Sequence, residues 1–243
     1  ELDSVVNQII VNQRQKELDA SNLLSLLAHA RDPETGEGMS DSELRDEVLI
    51  MFVAGHETTA NTLTWLWYNL SQCPEAEQKV YEEVCRVVDG DSISLDQLKE
   101  LEYLDAVIKE TLRLYPPGWW FARRAVEDDE IGGYHIPAGH HVWMSAYVTQ
   151  RHPDLWPDPD AFKPERFSSE NISDKERFAY FPFGGGPRQC IGNHFAMIEM
   201  KILVAHVIKR FELTLVPGFE VVPVPVTTLR PKNGMQMKLT PRG

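Results

Sequence analysis

Apolar residues recur at Val5, Val6, Ile9 and Ile10 and again at Leu23, Leu24, Leu26 and Leu27, a spacing that predicts helix over residues 1–31. The turn formers of Asp32-Pro33-Glu34-Thr35-Gly36-Glu37-Gly38 interrupt it. Ser40 and Glu43 supply the S-x-x-E capping box that opens a second helical stretch. Nothing breaks that stretch before Cys73-Pro74 except Gly55, which costs about 1 kcal/mol in a helix interior. At a rise of about 1.5 Å per residue the helix would be roughly 50 Å long. Pro74 to Val88 reads as a further helix with Pro at its start, and Ser94 to Leu114 as another, stopped by Pro116-Pro117.

From Arg123 to Thr149 the pattern changes to short strand-like runs punctuated by Gly132-Gly133 and Pro137-Ala138-Gly139. Residues 150–190 carry too much Pro and Gly for long regular elements. Asn193 to Phe211 is helical in pattern and apolar almost all round, the mark of a fully buried helix. Asn233-Gly234, between TTLRPK and MQMKLT, predicts a β-hairpin turn. The expected fold class is mainly α with small β-sheets, organised as one unit without repeats or linkers.

Composition narrows the function. In 243 residues, 24 Lys+Arg against 37 Asp+Glu leave a net charge of −13, which argues against a nucleic-acid partner and fits a soluble enzyme. Three cysteines, Cys73, Cys85 and Cys190, are too few for a disulfide framework and lack metal-ligand spacing, so a reducing compartment is expected. The longest apolar run, Val48 to Gly55, is far short of the ~20 residues of a membrane span. The chain opens ELDSVVNQII, without a signal sequence, and reads like the middle of a protein. His135, His140 and His141 surround a Pro-Ala-Gly turn, where exposed polar residues are ordinary.

Cys190 carries the candidate chemistry. It lies in Phe181-Pro-Phe-Gly-Gly-Gly-Pro-Arg-Gln-Cys-Ile-Gly192, directly before the apolar helix. Three consecutive glycines let the backbone approach something flat and bulky. A helix N-terminus offers free N–H donors and the positive dipole end to an anionic sulfur. Arg188 adds a cation suited to a carboxylate.

This loop resembles that of cytochrome P-450, the heme-thiolate monooxygenases, whose pattern is F-x-x-G-x-R-x-C-x-G. Phe183, Gly186, Arg188, Cys190 and Gly192 fill every fixed place. The resemblance implies Cys190 as axial ligand to the iron of heme b (iron protoporphyrin IX), Phe183 shielding the heme face near the sulfur, and Arg188 meeting a propionate. Three further motifs follow the same family. Glu110-Thr-Leu-Arg113 has the i, i+3 spacing of a pair on one helical face, worth under ~1 kcal/mol if exposed. In the family's E-x-x-R helix the pair is buried and joined by an Arg downstream, here Arg166 of Phe162-Lys-Pro-Glu-Arg-Phe167. This network is expected to be structural, holding the Cys loop.

The last motif is Ala54-Gly55-His56-Glu57-Thr58-Thr59, which matches A-G-x-(D/E)-T-(T/S) in the helix that crosses above the heme. The resemblance implies that this Gly leaves room for O2, that a hydroxyl drawn from the i−4 pattern loosens the helix locally, and that Glu57 and Thr58 are the acid–alcohol pair that relays protons. His56-Glu57 also begins a zincin-like H-E-x-x-H, but Ala60 stands in the fifth place, which excludes a zinc hydrolase. The resemblance further implies that Arg123, with Arg124 as competitor, reaches a propionate. Phe52-Val53-Ala54, Trp119, Trp120, Phe121, Ala122 and Thr228 would line the substrate pocket.

The expected protein is thus a monooxygenase that inserts one oxygen atom of O2 into a small hydrophobic organic substrate. Electrons come from NAD(P)H through a ferredoxin or flavoprotein reductase. Residues 1–243 would be a partial catalytic domain, the C-terminal half of the family fold, cytoplasmic, with any membrane anchor belonging to the N-terminal half. Two alternatives stay open: a peroxide-driven or rearranging heme-thiolate enzyme, against which Glu57-Thr58 counts, and an inactive truncated heme-binding fragment.

Overall fold

The capping box read at Ser40 is present in the computed structural model, which describes residues 2–168 and 178–242. Ser40 N–H donates to Glu43 Oε2 at 2.8 Å and Glu43 N–H returns to Ser40 Oγ at 3.3 Å. The chain forms two compact units, Glu1–Glu57 and Thr58–Gly243. In the first, α1 (Leu2–Arg14) and α2 (Leu23–His29) replace the one helix expected over residues 1–31. The break is chemical: Asp19 Oδ1 takes the Ser21 N–H, and Asn22 Oδ1 takes those of Leu24 and Ser25, donors that a continuous helix would use internally. Val6, Ile10, Ala28 and Leu44 form this unit's core.

The helix begun at Ser40 is α3 (Asp41–Gln72), α-helical throughout. The loosening expected near Gly55 is therefore not seen in the backbone. Further on, the Thr62 and Thr64 hydroxyls donate back to the Thr58 and Ala60 carbonyls at 2.9 and 2.8 Å without breaking the ladder.

The second unit packs the C-terminal part of α3 with α4 (Pro74–Val87), α5 (Leu95–Glu100) and α6 (Glu102–Leu114). The single helix expected from Ser94 to Leu114 breaks at the buried Leu101. Glu83, on α4, explains the break: its carboxylate accepts the Tyr103 and Leu104 N–H groups at 2.7 and 2.9 Å and so caps α6 from another helix.

The strands form two-stranded antiparallel sheets. β1 (Phe121–Arg124) pairs with a strand twenty residues on, and between them β2 (Asp129–Ile131) and β3 (Tyr134–Ile136) make a hairpin about Gly132-Gly133. The partner of β1 is β4 (His141–Met144), with Phe121 opposite Met144. The strand region expected to reach Thr149 ends earlier, because Ser145 Oγ accepts the Val148 N–H and starts the one-turn helix α7 (Ala146–Thr149).

The expectation of no long regular element over residues 150–190 falls partly on 169–177, outside the described residues; residues 150–168 and 180–190 are turns and loops with 3₁₀ turns at Pro164–Phe167 and Gly186–Arg188. After the Cys loop come α8 (Asn193–Ile208), β5 (Phe211–Leu215), β6 (Pro223–Pro225), β7 (Leu229–Pro231) and β8 (Met237–Pro241). Met200, Val204, Ala205 and Ile208 of α8 enter the main core with Leu66, Val80, Val84 and Val107. Full burial of this helix is not found: Phe195, in its first turn, is 67% exposed and Leu203 is 43% exposed. The Asn233-Gly234 turn closes no hairpin either. β8 pairs with β5 and β7 with β6, while the β7 residue Leu229 donates to Pro117 O and accepts from Trp65 Nε1. No helix among the described residues is long and apolar enough to cross a membrane.

Candidate active site

Cys190 sits at the end of a loop closed on itself. Its N–H donates to Phe183 O at 2.9 Å, Gly184 N–H to Phe181 O at 3.0 Å, and Gln189 N–H to Gly186 O at 3.0 Å. Gly184 and Gly186 have φ of 70° and 68°, in the left-handed region that side chains avoid. A Cβ at Gly185 or Gly186 would meet nothing within 4 Å, whereas one at Gly184 would touch the Phe121 ring at 3.6 Å. Gly192 caps α8 without a side chain, and a Cβ there would stand 3.9 Å from Cys190 Sγ. The thiol residue is exposed at the N-terminal end of α8, flanked by Ile191, 98% exposed, and Phe195. Arg188 is also exposed, and Phe183 packs half-buried against the main core.

The second cluster lies on α6, where Glu110 and Arg113 are fully buried. Arg113 Nε and Nη2 reach the two carboxylate oxygens at 2.7 and 2.8 Å. The other guanidinium donors go to Gln150 O and Pro159 O, both at 2.7 Å, and to Ala161 O at 3.1 Å. Glu110 Oε1 also accepts the Lys163 N–H at 2.9 Å. Arg166 Nε stands 3.4 Å from that oxygen, at ion-pair range without hydrogen-bond geometry. Arg166 Nη2 donates to the carbonyl of Asp158, a residue held at φ 47°. Thus one buried ion pair anchors residues 150–166, as a planar guanidinium with five donors can.

Two side chains, the half-buried Tyr180 and the buried Gln150, connect this cluster to the start of the Cys loop. Tyr180 OH donates to Lys109 O at 3.2 Å; burial, beside the charges of Asp105 and Glu110, raises its phenol well above 10.0 and keeps it a donor. Gln150 Nε2 donates to Leu112 O and Arg113 O, both at 3.0 Å, and its Oε1 accepts the Phe181 N–H at 2.9 Å. Nothing in the local sequence YVTQRH marks Gln150, since its value lies in three distant backbone partners.

On β1, side chains alternate between faces, which puts Arg123 on the side of Phe121. Phe121 packs against Gly184 and, with ring centroids 6.1 Å apart, Phe181. Arg124, on the opposite face, donates to Gly139 O at 3.3 Å. Arg123 Nη1 turns back to Ala122 O at 2.9 Å. Trp119 Nε1 donates to Val226 O at 2.9 Å, and Trp120 lies 4.6 Å from Trp143 in a surface groove shared with Met144. Thr228 is buried and its Oγ1 accepts from Asn61 Nδ2 at 3.1 Å. Nearby, Trp65 stacks on Tyr115 at 4.1 Å, and burial pushes the Tyr115 phenol up to about 12.

Along α3, Phe52 and Val53 are each 58% exposed, and a Cβ on Gly55 would meet nothing within 4 Å. Glu57 is exposed, Thr58 half-buried, and Thr59 buried. An exposed thiol at an apolar helix start, with open space over two glycines and uncovered Ile191 and Phe195 beside it, fits a flat, apolar, thiolate-ligated heme.

The family model for Cytochrome P-450 matches residues 1–239. Cyclooctat-9-en-7-ol 5-monooxygenase of Streptomyces melanosporofaciens is 40% identical over 217 residues, 89% of this chain and 47% of the relative. Pentalenene oxygenase of Streptomyces avermitilis is 35% identical over 241 residues, 99% of this chain and 54% of the relative. Among solved structures, the retinoic acid bound cyanobacterial CYP120A1 superposes with a TM-score of 0.93 at 33% identity, covering 99% of this chain and 55% of that one. The chain spans about half the length of the curated relatives it matches. With matching sequence, motifs and architecture, this chain belongs to the cytochrome P-450 family, and its mainly α fold with small sheets is that family's.

Proposed function

We propose that the chain is the thiolate-bearing part of a heme-dependent monooxygenase that inserts one oxygen atom of O2 into a hydrophobic organic substrate, and that residues 1–243 belong to one catalytic domain. The observation that carries this reading is the exposed Cys190 thiol at the start of α8, in a glycine loop open enough for a flat group. The oxygenase names of the Streptomyces relatives support it. When bound, heme b supplies the activation of O2 and the oxygen insertion.

The chain's own residues do the rest. The Cys190 sulfur would hold the heme iron, and the loop hydrogen bonds at Phe181 and Phe183 fix the backbone of that residue. Arg188 and Arg123 would meet the heme propionates, while Arg124 donates to Gly139 O. Phe183 would shield the heme face near the sulfur. Gly55 leaves space beside the α3 backbone, Glu57 and Thr58 hold and move protons there, and Phe52, Val53, Ala54, the 119–122 segment and Thr228 contribute pocket lining. The Glu110–Arg113–Arg166 cluster is structural. Electrons come from NAD(P)H through a ferredoxin or a flavoprotein reductase. For the latter, support comes from a bifunctional P-450/NADPH–P-450 reductase of Alternaria alternata, 36% identical over 244 residues, 100% of this chain and 22% of that protein.

The test is spectroscopic. Full-length protein should give the red-shifted ferrous carbonyl band of thiolate ligation, and Cys190→Ser should lose it. Turnover should require NAD(P)H with a reductase; turnover by peroxide alone would instead support the peroxide-driven alternative.

A further inference from the structure

We propose that Gln150 is a positioning residue for the Cys190 loop: its carboxamide fixes where the loop departs from the α6 scaffold, and through it where the thiol stands. Gln150 is fully buried at the end of α7. Its two side-chain protons go to the carbonyls of Leu112 and Arg113, in the last turn of α6. Its side-chain oxygen takes the N–H of Phe181, the first residue of the loop. Its backbone carbonyl accepts from Arg113 Nη1 and its N–H donates to Ala146 O. Every polar group of this residue is therefore engaged, across three segments of the chain.

The donor pattern determines which way the amide lies. Two carbonyls on one side demand the nitrogen, and the Phe181 N–H on the other demands the oxygen; the flipped amide would oppose like groups at all three contacts. From Phe181 the connection to the thiol residue is short. The Phe181 carbonyl accepts from Gly184, and the Phe183 carbonyl accepts from Cys190. A movement of Phe181 thus passes to Cys190 through backbone hydrogen bonds. Leu in place of Gln would fill the volume but leave two carbonyls and one N–H buried without partners. A neutral His offers one donor and one acceptor, so it can restore the bridge in part.

Amide hydrogen exchange on the full chain tests this without reference to heme. In the unmodified protein the Phe181 amide should exchange about a hundredfold more slowly than those of the Gly185–Arg188 surface turn. Gln150→Leu should raise exchange from Phe181 to Cys190 about tenfold or more, with the interiors of α4 and α6 unchanged, and Gln150→His should recover most of the protection. In the heme-loaded protein, Gln150→Leu should convert part of the thiolate-type carbonyl band to the blue-shifted form, again with recovery by Gln150→His. A Phe181 amide as labile as the surface turn overturns the proposal, as do Leu and His variants that behave alike, or a rise spread evenly over α4, α6 and α8. Should Gln150→Leu not fold, the unmodified chain decides. Only the spectral arm rests on Cys190 as the heme ligand: absence of the thiolate band with the exchange pattern intact would refute that reading and leave the Gln150 bridge standing.

Discussion

Thr58 and Arg113 are both polar residues on helices, yet the proposed function gives them opposite kinds of work. Thr58 is half-buried on α3, next to the exposed Glu57, where a hydroxyl can exchange protons. Thr58→Ala should leave NAD(P)H consumption running while product per NAD(P)H falls roughly tenfold or more and hydrogen peroxide accumulates, measured as coupling stoichiometry. Unchanged coupling would remove Thr58 from the relay. Arg113 is itself fully buried against Glu110, and Arg113→Ala strands the Glu110 carboxylate in the core. That should cost about 3–5 kcal/mol in denaturant unfolding. Residues such as Cys190 and Glu110 were legible because their motif surrounds them in sequence. Gln150 was not, since Leu112, Arg113 and Phe181 converge on it only after folding.

At the level of elements, the sequence marked those with local signals. The Ser40–Glu43 box, Pro74 and the Gly132-Gly133 turn each act within a few residues, and each appears where expected. The failures were tertiary. Glu83 splits one expected helix into α5 and α6, and β8, which a hairpin at Asn233-Gly234 would pair with β7, pairs with β5. Glu83→Ala should destabilise the protein by about 1–2 kcal/mol, with Glu83→Gln recovering part, because two α6 N–H groups lose a charged acceptor. A second element-level tie joins α6 to α8. Asp105 pairs with Lys109 at 2.6 Å and Lys201 at 2.9 Å, and Lys201 also donates to Leu98 O. Burial pushes the Asp105 carboxyl up, but the two lysines outweigh it and hold it below its ordinary 3.8. A depressed carboxyl stabilises the fold above its unfolded value and loses that contribution as pH falls through the folded one. The stability gap between the parent and Asp105→Asn should therefore be full near neutrality and shrink below about pH 4, in urea titrations at each pH. A gap independent of pH would mean the lysines act only by packing.

At the scale of the whole molecule, α8 shows what a pattern along one helix cannot settle. Its residues are apolar all round, and burial was the natural inference, but only Met200, Val204, Ala205 and Ile208 are enclosed. Periodicity reports how many faces of a helix avoid water, not what covers them. The uncovered part begins at the Cys loop, where the proposed heme would lie. The Glu110–Arg113 cluster carries a different consequence, for the order of assembly. Glu110 is three residues from Arg113 and within reach once α6 coils, but Gln150, Pro159 and Ala161 lie 37, 46 and 48 positions further along. Closing those loops costs entropy before their bonds return anything. Those contacts should therefore mature after the rate-limiting barrier. Arg113→Lys keeps the charge but loses the planar fork, and should accelerate unfolding while leaving the refolding rate almost unchanged, seen as a chevron shifted only in its unfolding limb. A slowed refolding limb would place this cluster in the nucleus instead.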